Sequence, residues 1–131
     1  MLPRLSSAAR LRPARLAIGP GADFVGVGTS LIDLRTRGSL RRIVVALVEL
    51  RTRSPGTSLS QELVFEAGWP DERVSPRAAA ARVYTAMYTL RRMGLRGILV
   101  RRDDGYLIDP RVEVDTASPW EAAPSSSDMS A

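Results

Sequence analysis

The stretch Ser75 to Leu95, SPRAAAARVYTAMYTLRRMGL, decides the fold, because it reads as one helix with a marked start, a marked stop and two chemically different faces. Ser75 can cap the first turn, and Pro76 suits the first helical position, where a missing N–H costs nothing. Gly94 can take the left-handed conformation that ends a helix. At about 100° per residue, Ala79, Ala80, Val83, Ala86, Met87, Leu90 and Met93 share an apolar side. Arg77, Ala78, Ala81, Arg82, Thr85, Tyr88, Thr89 and Arg92 fall on or beside the other. The first face packs; the second offers guanidinium, hydroxyl and small groups to a partner.

Working outward, Gly97 to Asp109, GILVRRDDGYLID, gives two β-rich segments, Ile98 to Arg101 and Tyr106 to Ile108, joined by Arg102-Asp103-Asp104-Gly105. Asp-Gly between apolar runs is a hairpin signal, with Gly105 expected to carry a positive φ and Tyr106 to pack on the body of the domain. On the N-terminal side, Gly68-Trp69-Pro70 stops a short helix over about Ser60 to Ala67, capped by Ser60 or Ser58 and burying Leu63, Val64 and Ala67. Trp69 reads as a core anchor. Before it, Leu40, Ile43, Val44, Leu47 and Leu50 recur at helical spacing within Ser39 to Arg53, with Ser39 as cap and Ser54-Pro55-Gly56 as stop. Leu16 to Ile18, Ala22 to Val27 and Ser30 to Leu34 are short β-compatible runs separated by glycine turns, which predicts a small antiparallel sheet. GVGTSL lacks the third glycine and the Gly-Lys-Ser/Thr of a phosphate loop.

The 131 residues suit one ordinary domain, and 44% apolar content is enough for a core without staples. The expected organisation is a disordered basic arm over 1–15, a folded domain over 16–114 and a disordered acidic Ser/Pro/Ala tail over 115–131, in which Trp120 stands unexplained. The arm also has the composition of an organelle transit peptide. The absence of Cys and His removes thiolate chemistry, the commonest general base and the commonest metal ligand, so catalytic residues, a metal and a cofactor are not expected. No apolar run approaches the roughly 20 residues that span a bilayer, so the chain is expected to be soluble and no membrane is implied. No small-molecule ligand is implied either, and the expected location is the cytoplasm.

All 19 basic residues are Arg, and the net charge is +5. Arg suits planar recognition of phosphate and of guanine edges, although GC-rich codon usage accounts equally well for the lack of Lys. Distribution says more than the total. Residues 75–111 carry eight Arg against three acids, whereas 112–131 carry no Arg and four acids. Positive charge therefore concentrates on the opening helix and the hairpin after it.

A small sheet, helix, short helix, amphipathic helix and hairpin, in that order, describe an α+β winged helix-turn-helix, in which the third helix enters the DNA major groove. Over about residues 16–110 the chain resembles the winged-helix effector domain of two-component response regulators, the OmpR/PhoB class. LRRIVVALVEL, LSQELVFEAGW, VYTAMYTLRR and LVRRDDGYLI carry the resemblance. Val83, Met87, Leu90 and Arg91 stand at that family's apolar and Leu-Arg positions, and Gly105-Tyr106 at its closing wing pair. Where several members place charged side chains on the exposed stripe, this chain has Tyr84, Thr85, Tyr88 and Thr89.

The resemblance implies sequence-specific double-stranded DNA binding by a recognition helix (75–93) and a wing (98–109), as a bacterial transcriptional regulator, commonly as a homodimer on repeated half-sites. The expected DNA-binding residues are Arg77, Arg82, Arg92, Arg101 and Arg102 for phosphate or groove contacts and Thr85, Tyr88 and Thr89 for hydrogen bonds to bases or backbone. Because Arg101 and Arg102 are adjacent on a strand, one of them, Arg101 by preference, should face DNA. The alternative is a winged helix used as a protein-interaction module, with the Tyr, Thr and Ala surface packed on a partner.

Overall fold

The computed structural model describes residues 15–116, and their element order follows the apolar periodicity closely. Strands β1 (Arg15–Ile18), β2 (Phe24–Val27) and β3 (Ser30–Asp33) precede helix α1 (Gly38–Arg53). A two-residue strand β4 (Leu59–Ser60) leads into α2 (Gln61–Gly68) and then α3 (Pro76–Leu90). The hairpin strands β5 (Leu99–Arg102) and β6 (Gly105–Ile108) follow, and β7 (Glu113–Asp115) closes the domain. The result is α+β, with three helices and two small sheets among the described residues.

The first sheet has strand order β3-β2-β1-β7. Its first three strands are antiparallel, as the glycine-separated runs predict, but β7 pairs parallel to β1, with Arg15 opposite Glu113 and Ala17 opposite Asp115. Arg15 thus belongs to the sheet rather than to the arm, and Asp115 to the sheet rather than to the tail. The Arg15 guanidinium reaches Glu113 Oε1 at 2.6 Å. Nothing in the local pattern of 113–115 announces this strand, because a parallel partner almost a hundred residues away leaves no short-range signal. Apart from Thr116, the remaining residues of the expected arm and tail, including Trp120, lie outside the described residues.

The second sheet, β4-β6-β5, is antiparallel and joins the hairpin to the entry of α2 through Leu59 opposite Tyr106 and Ser60 opposite Gly105. Here the expected turn geometry is corrected. The residue with positive φ is Asp103, at 56°, and Gly105 is not among the positive-φ positions. Gly105 is required for a different reason: a Cβ there would overlap the backbone carbonyl of Leu59. Close approach of β4, not turn conformation, selects glycine.

One core joins these layers. Ile43, Val44 and Leu47 of α1, Val64 and Phe65 of α2, and Val83, Ala86, Met87 and Leu90 of α3 are buried with Leu16, Val25 and Ile32 of the first sheet and Tyr106 and Ile108 of the hairpin. The apolar side expected of α3 is the buried one. The side expected of α2 needs rotating: Leu63 is 50% exposed, while Phe65 is buried and stacks on Trp69 with ring centroids 5.3 Å apart. In a helix of only eight residues the aromatic pair outweighs the leucine in choosing which face packs, since the two rings carry more apolar area.

Helix ends follow the expected chemistry at two of three starts. Ser60 Oγ accepts from Leu63 N–H at 3.2 Å and Ser75 Oγ from Ala78 N–H at 3.1 Å. At α1, however, the cap position is Arg37, with no side-chain cap hydrogen bond, and Ser39 lies inside the helix. α3 is regular to Leu90 and continues as one wider turn over Arg91–Leu95. Gly94, at φ 141°, departs from helical geometry inside that turn and lets Ile32 approach.

Candidate nucleic-acid interface

The outward ridge of α3 runs Arg77, Ala81, Tyr84, Tyr88, Arg92, at spacings of three and four residues, and all five are exposed. Tyr84 is 64% and Tyr88 50% exposed, which is unusual for residues of this size. Thr85 stands exposed beside them. Arg92 lies at the C-terminal end of the ridge, where its guanidinium carbon is 5.9 Å from the Tyr88 ring centre and its Nη1 donates to the Tyr88 hydroxyl at 3.4 Å.

Other expected contacts are already engaged. Arg82 is half-buried, paired with Glu72 and placed 5.7 Å over the Trp69 ring, so it ties α3 to the loop before it. The Thr89 hydroxyl donates to the Thr85 carbonyl at 2.9 Å, one turn back along its own helix. Arg82, Thr85 and Thr89 line one wall of an open groove of about 540 Å³, whose other wall is Thr36 to Leu40 at the start of α1, with Trp69 between.

The hairpin is fastened to the end of α3 through Tyr106, which is 2% exposed. Arg91 places its guanidinium carbon 6.0 Å from that ring and directs Nε and Nη2 to the Leu99 carbonyl, both at 3.4 Å. Arg101, directly across from Tyr106 in the ladder, lies over the same ring at 5.5 Å. Each is a cation–π contact, worth about 0.5–1 kcal/mol at an exposed site. Arg101 and Arg102 are both exposed. Arg102 makes no ion pair with Asp103 or Asp104 among the described residues. Its positive charge does reach Asp109, whose carboxyl is held below the usual range chiefly by hydrogen bonds from Arg111 and, in smaller part, by Arg102.

Carboxylates gather elsewhere. Glu62, Glu66, Asp71 and Glu72 border a second groove, of about 800 Å³, along α2 and the loop to α3. With Glu72 paired to Arg82 and Arg73 on the same lining, Glu62, Glu66 and Asp71 still make that side less favourable to phosphate than the α3 ridge and hairpin, where Arg77, Arg92, Arg101 and Arg102 are exposed. Among the described residues no group of three or more His, Cys, Asp or Glu is placed to hold a metal, and no helix is long and apolar enough to cross a membrane.

Of the eight residues picked from the sequence, Arg77, Tyr88 and Arg92 therefore share the ridge, with Thr85 beside it. Arg101 and Arg102 sit on the hairpin, while Arg82 and Thr89 face the groove. Two residues that the sequence did not place among the DNA contacts belong to this surface. Tyr84, on the exposed stripe by sequence, lies one turn from Tyr88 and seven residues from Arg77 on the ridge. Arg91 has the Leu-Arg position of the resemblance, but its engagement with Tyr106 cannot be read locally, because that partner comes from the second strand of the hairpin. Comparison with known protein families, curated proteins and solved structures gave no match.

Proposed function

We propose that this chain is a winged-helix protein that binds double-stranded DNA, with α3 as recognition helix and the β5–β6 hairpin as wing, and acts as a cytoplasmic transcriptional regulator. The observation that carries the reading is the junction at Tyr106. Arg91 from the end of α3 and Arg101 from the hairpin flank one ring, so a basic helix and a basic hairpin are fixed to each other at a set angle. A duplex needs that arrangement: base edges are met by a helix, and phosphates beside them by a second element held in register. Pairing of β4 with β6 further ties the hairpin to the entry of α2. Arg77, Arg92, Arg101 and Arg102 supply the cationic contacts, and Tyr84, Thr85 and Tyr88 face the bases. Homodimers on repeated half-sites belong to the same proposal.

The test is a set of single substitutions assayed against a random duplex pool at one salt concentration. Arg77→Ala, Arg92→Ala, Arg101→Ala and Arg102→Ala should each weaken binding, whereas Arg53→Ala, at the exposed end of α1, should not. Equal affinities across the set would contradict the reading. A second reading, a protein-interaction module, is favoured by the exposure of Tyr84 and Tyr88, since tyrosines are enriched in protein interfaces. It predicts that Tyr84→Ala abolishes capture of a protein partner while no arginine substitution affects DNA.

A further inference from the structure

We propose that α3 reads thymine methyl groups, so that the duplex this protein selects carries thymines at the centre of its contact and guanine contacts only at the two ends of the helix. This rests on the DNA-binding reading and names the kind of duplex that the same site takes. The inference follows from which side chains of α3 are still uncommitted.

Guanine is read in the major groove mainly by bidentate Arg or Lys, adenine by Asn or Gln, and cytosine by an acid. Between Arg77 and Arg92 the helix contains no Asn, Gln, Lys, Asp or Glu. Its two intervening arginines are occupied. Arg82 is paired with Glu72 and lies over Trp69, and Arg91 is directed to Leu99 and Tyr106. The Thr89 hydroxyl is spent on the Thr85 carbonyl. What the middle of the ridge presents is the methyl of Ala81, the side chain of Thr85 and the rings of Tyr84 and Tyr88.

Those groups are apolar with a few hydroxyls, and the one apolar feature of a base edge in the major groove is the thymine 5-methyl group. Tyr88 already receives Arg92 at its hydroxyl. Tyr84 has no such partner among the described residues and is the more exposed ring, so it takes the central contact. The spacing agrees: four helical residues rise about 6 Å, close to two base steps of about 3.4 Å. Tyr84 and Tyr88 would therefore meet thymines about two steps apart on one strand. At the ends of the ridge, Arg77 has no partner among the described residues, and Arg92, exposed, spends only Nη1 on the Tyr88 hydroxyl, so these two are left for guanine or phosphate.

The experiment is selection of duplexes from a random pool by the full chain, followed by replacement of each central thymine in the enriched duplex by deoxyuridine. That change removes the methyl group and leaves the hydrogen-bonding pattern intact. Each replacement under Tyr84 or Tyr88 should weaken binding about fourfold, the factor for one buried methyl-sized group. Tyr84→Ala should melt at the parent temperature, because the ring is exposed, and should bind the thymine and uracil duplexes alike at the position that Tyr84 covers. Equal affinity of the parent chain for both duplexes overturns the inference, as does an enriched centre that depends on guanine. So does a Tyr84→Ala chain that still discriminates. In those cases steep salt dependence would leave DNA binding itself intact, whereas failure to enrich or retain any duplex would overturn both.

Discussion

The guanidinium carbon of Arg101 sits 5.5 Å from the centre of the Tyr106 ring on the facing strand, so the side chain expected to reach DNA is braced before any partner arrives. Bracing reduces the rotamer entropy that a long arginine would otherwise lose on binding. Tyr106→Leu keeps the site apolar but removes the aromatic face under both Arg101 and Arg91 and leaves the buried site underfilled. The expected outcome is a stability loss of about 1–3 kcal/mol and, at a temperature where both chains are folded, weaker duplex binding. Affinity equal to the parent's would show that neither arginine depends on the ring.

Gly105 gives a prediction about fold alone. Gly105→Ala forces a Cβ against the Leu59 carbonyl, and backbone on both sides has little room to move. Overpacking of this kind costs about 1–3 kcal/mol, so the variant should melt lower and lose hydrogen-exchange protection first in β4 and β6. An unchanged melt would mean that β4 separates from the hairpin without cost.

The two faces of α3 should respond oppositely to truncation. Leu90 is fully buried, and Leu90→Ala should cost about 2–5 kcal/mol. For a domain of this size that lowers Tm by roughly 4–8 °C for each kcal/mol. Tyr84→Ala removes a larger side chain from the exposed ridge and should change stability by no more than about 0.5 kcal/mol. Reversal of that order in calorimetry would show that the helix is rotated from the described orientation.

Much of the fold is legible in the sequence because it is local. Ser60 and Ser75 mark helix starts by their own side chains, and the i, i+3, i+4 pattern of Val83, Ala86, Met87 and Leu90 fixes the buried face of α3. Two of the departures are nonlocal: β7 depends on β1, and the need for glycine at 105 comes from Leu59. The third is local, since periodicity puts Leu63 in a core that Phe65 and Trp69, one helical turn apart, fill instead. At the candidate site, residue types are readable but their engagements are not. Arg82 looks free on a helical wheel and is held by Glu72, ten residues earlier across a loop.

Closure by β7 should be visible in truncations. A chain ending at Thr116 keeps the strand. One ending at Arg111 loses buried Val112, half-buried Val114 and the pairing with β1, and leaves Arg51 without the Val112 carbonyl that it donates to. The expected loss is about 2 kcal/mol or more from the apolar side chains alone. Coincident melts of the two truncations would contradict a structural role for the parallel pair.

The pH response should be flat near neutrality. The chain has no histidine, and among the described residues the two carboxyls with a shifted pKa both move down: Arg35 holds Asp33 at about 2 by side-chain and backbone hydrogen bonds, and Arg111 lowers Asp109. A depressed carboxyl contributes stability that is fully present above its unfolded value, about 3.9, and is lost as pH falls through the folded one. Melts should therefore coincide between about pH 5.5 and 8 and decline only in acid, below about pH 4. A transition between pH 6 and 7 would be inconsistent with these pairs.

The most direct measurement of DNA binding by α3 and the hairpin is the duplex affinity of the full chain as a function of salt. Each neutralised phosphate contributes about 0.9 to the slope of log K against log salt, so three or four arginine contacts predict a slope of about −3 or steeper. Arg101→Ala or Arg102→Ala should make it shallower by about 0.9 for each phosphate that is no longer neutralised. A flat response, or a slope that neither substitution alters, would contradict binding through this surface.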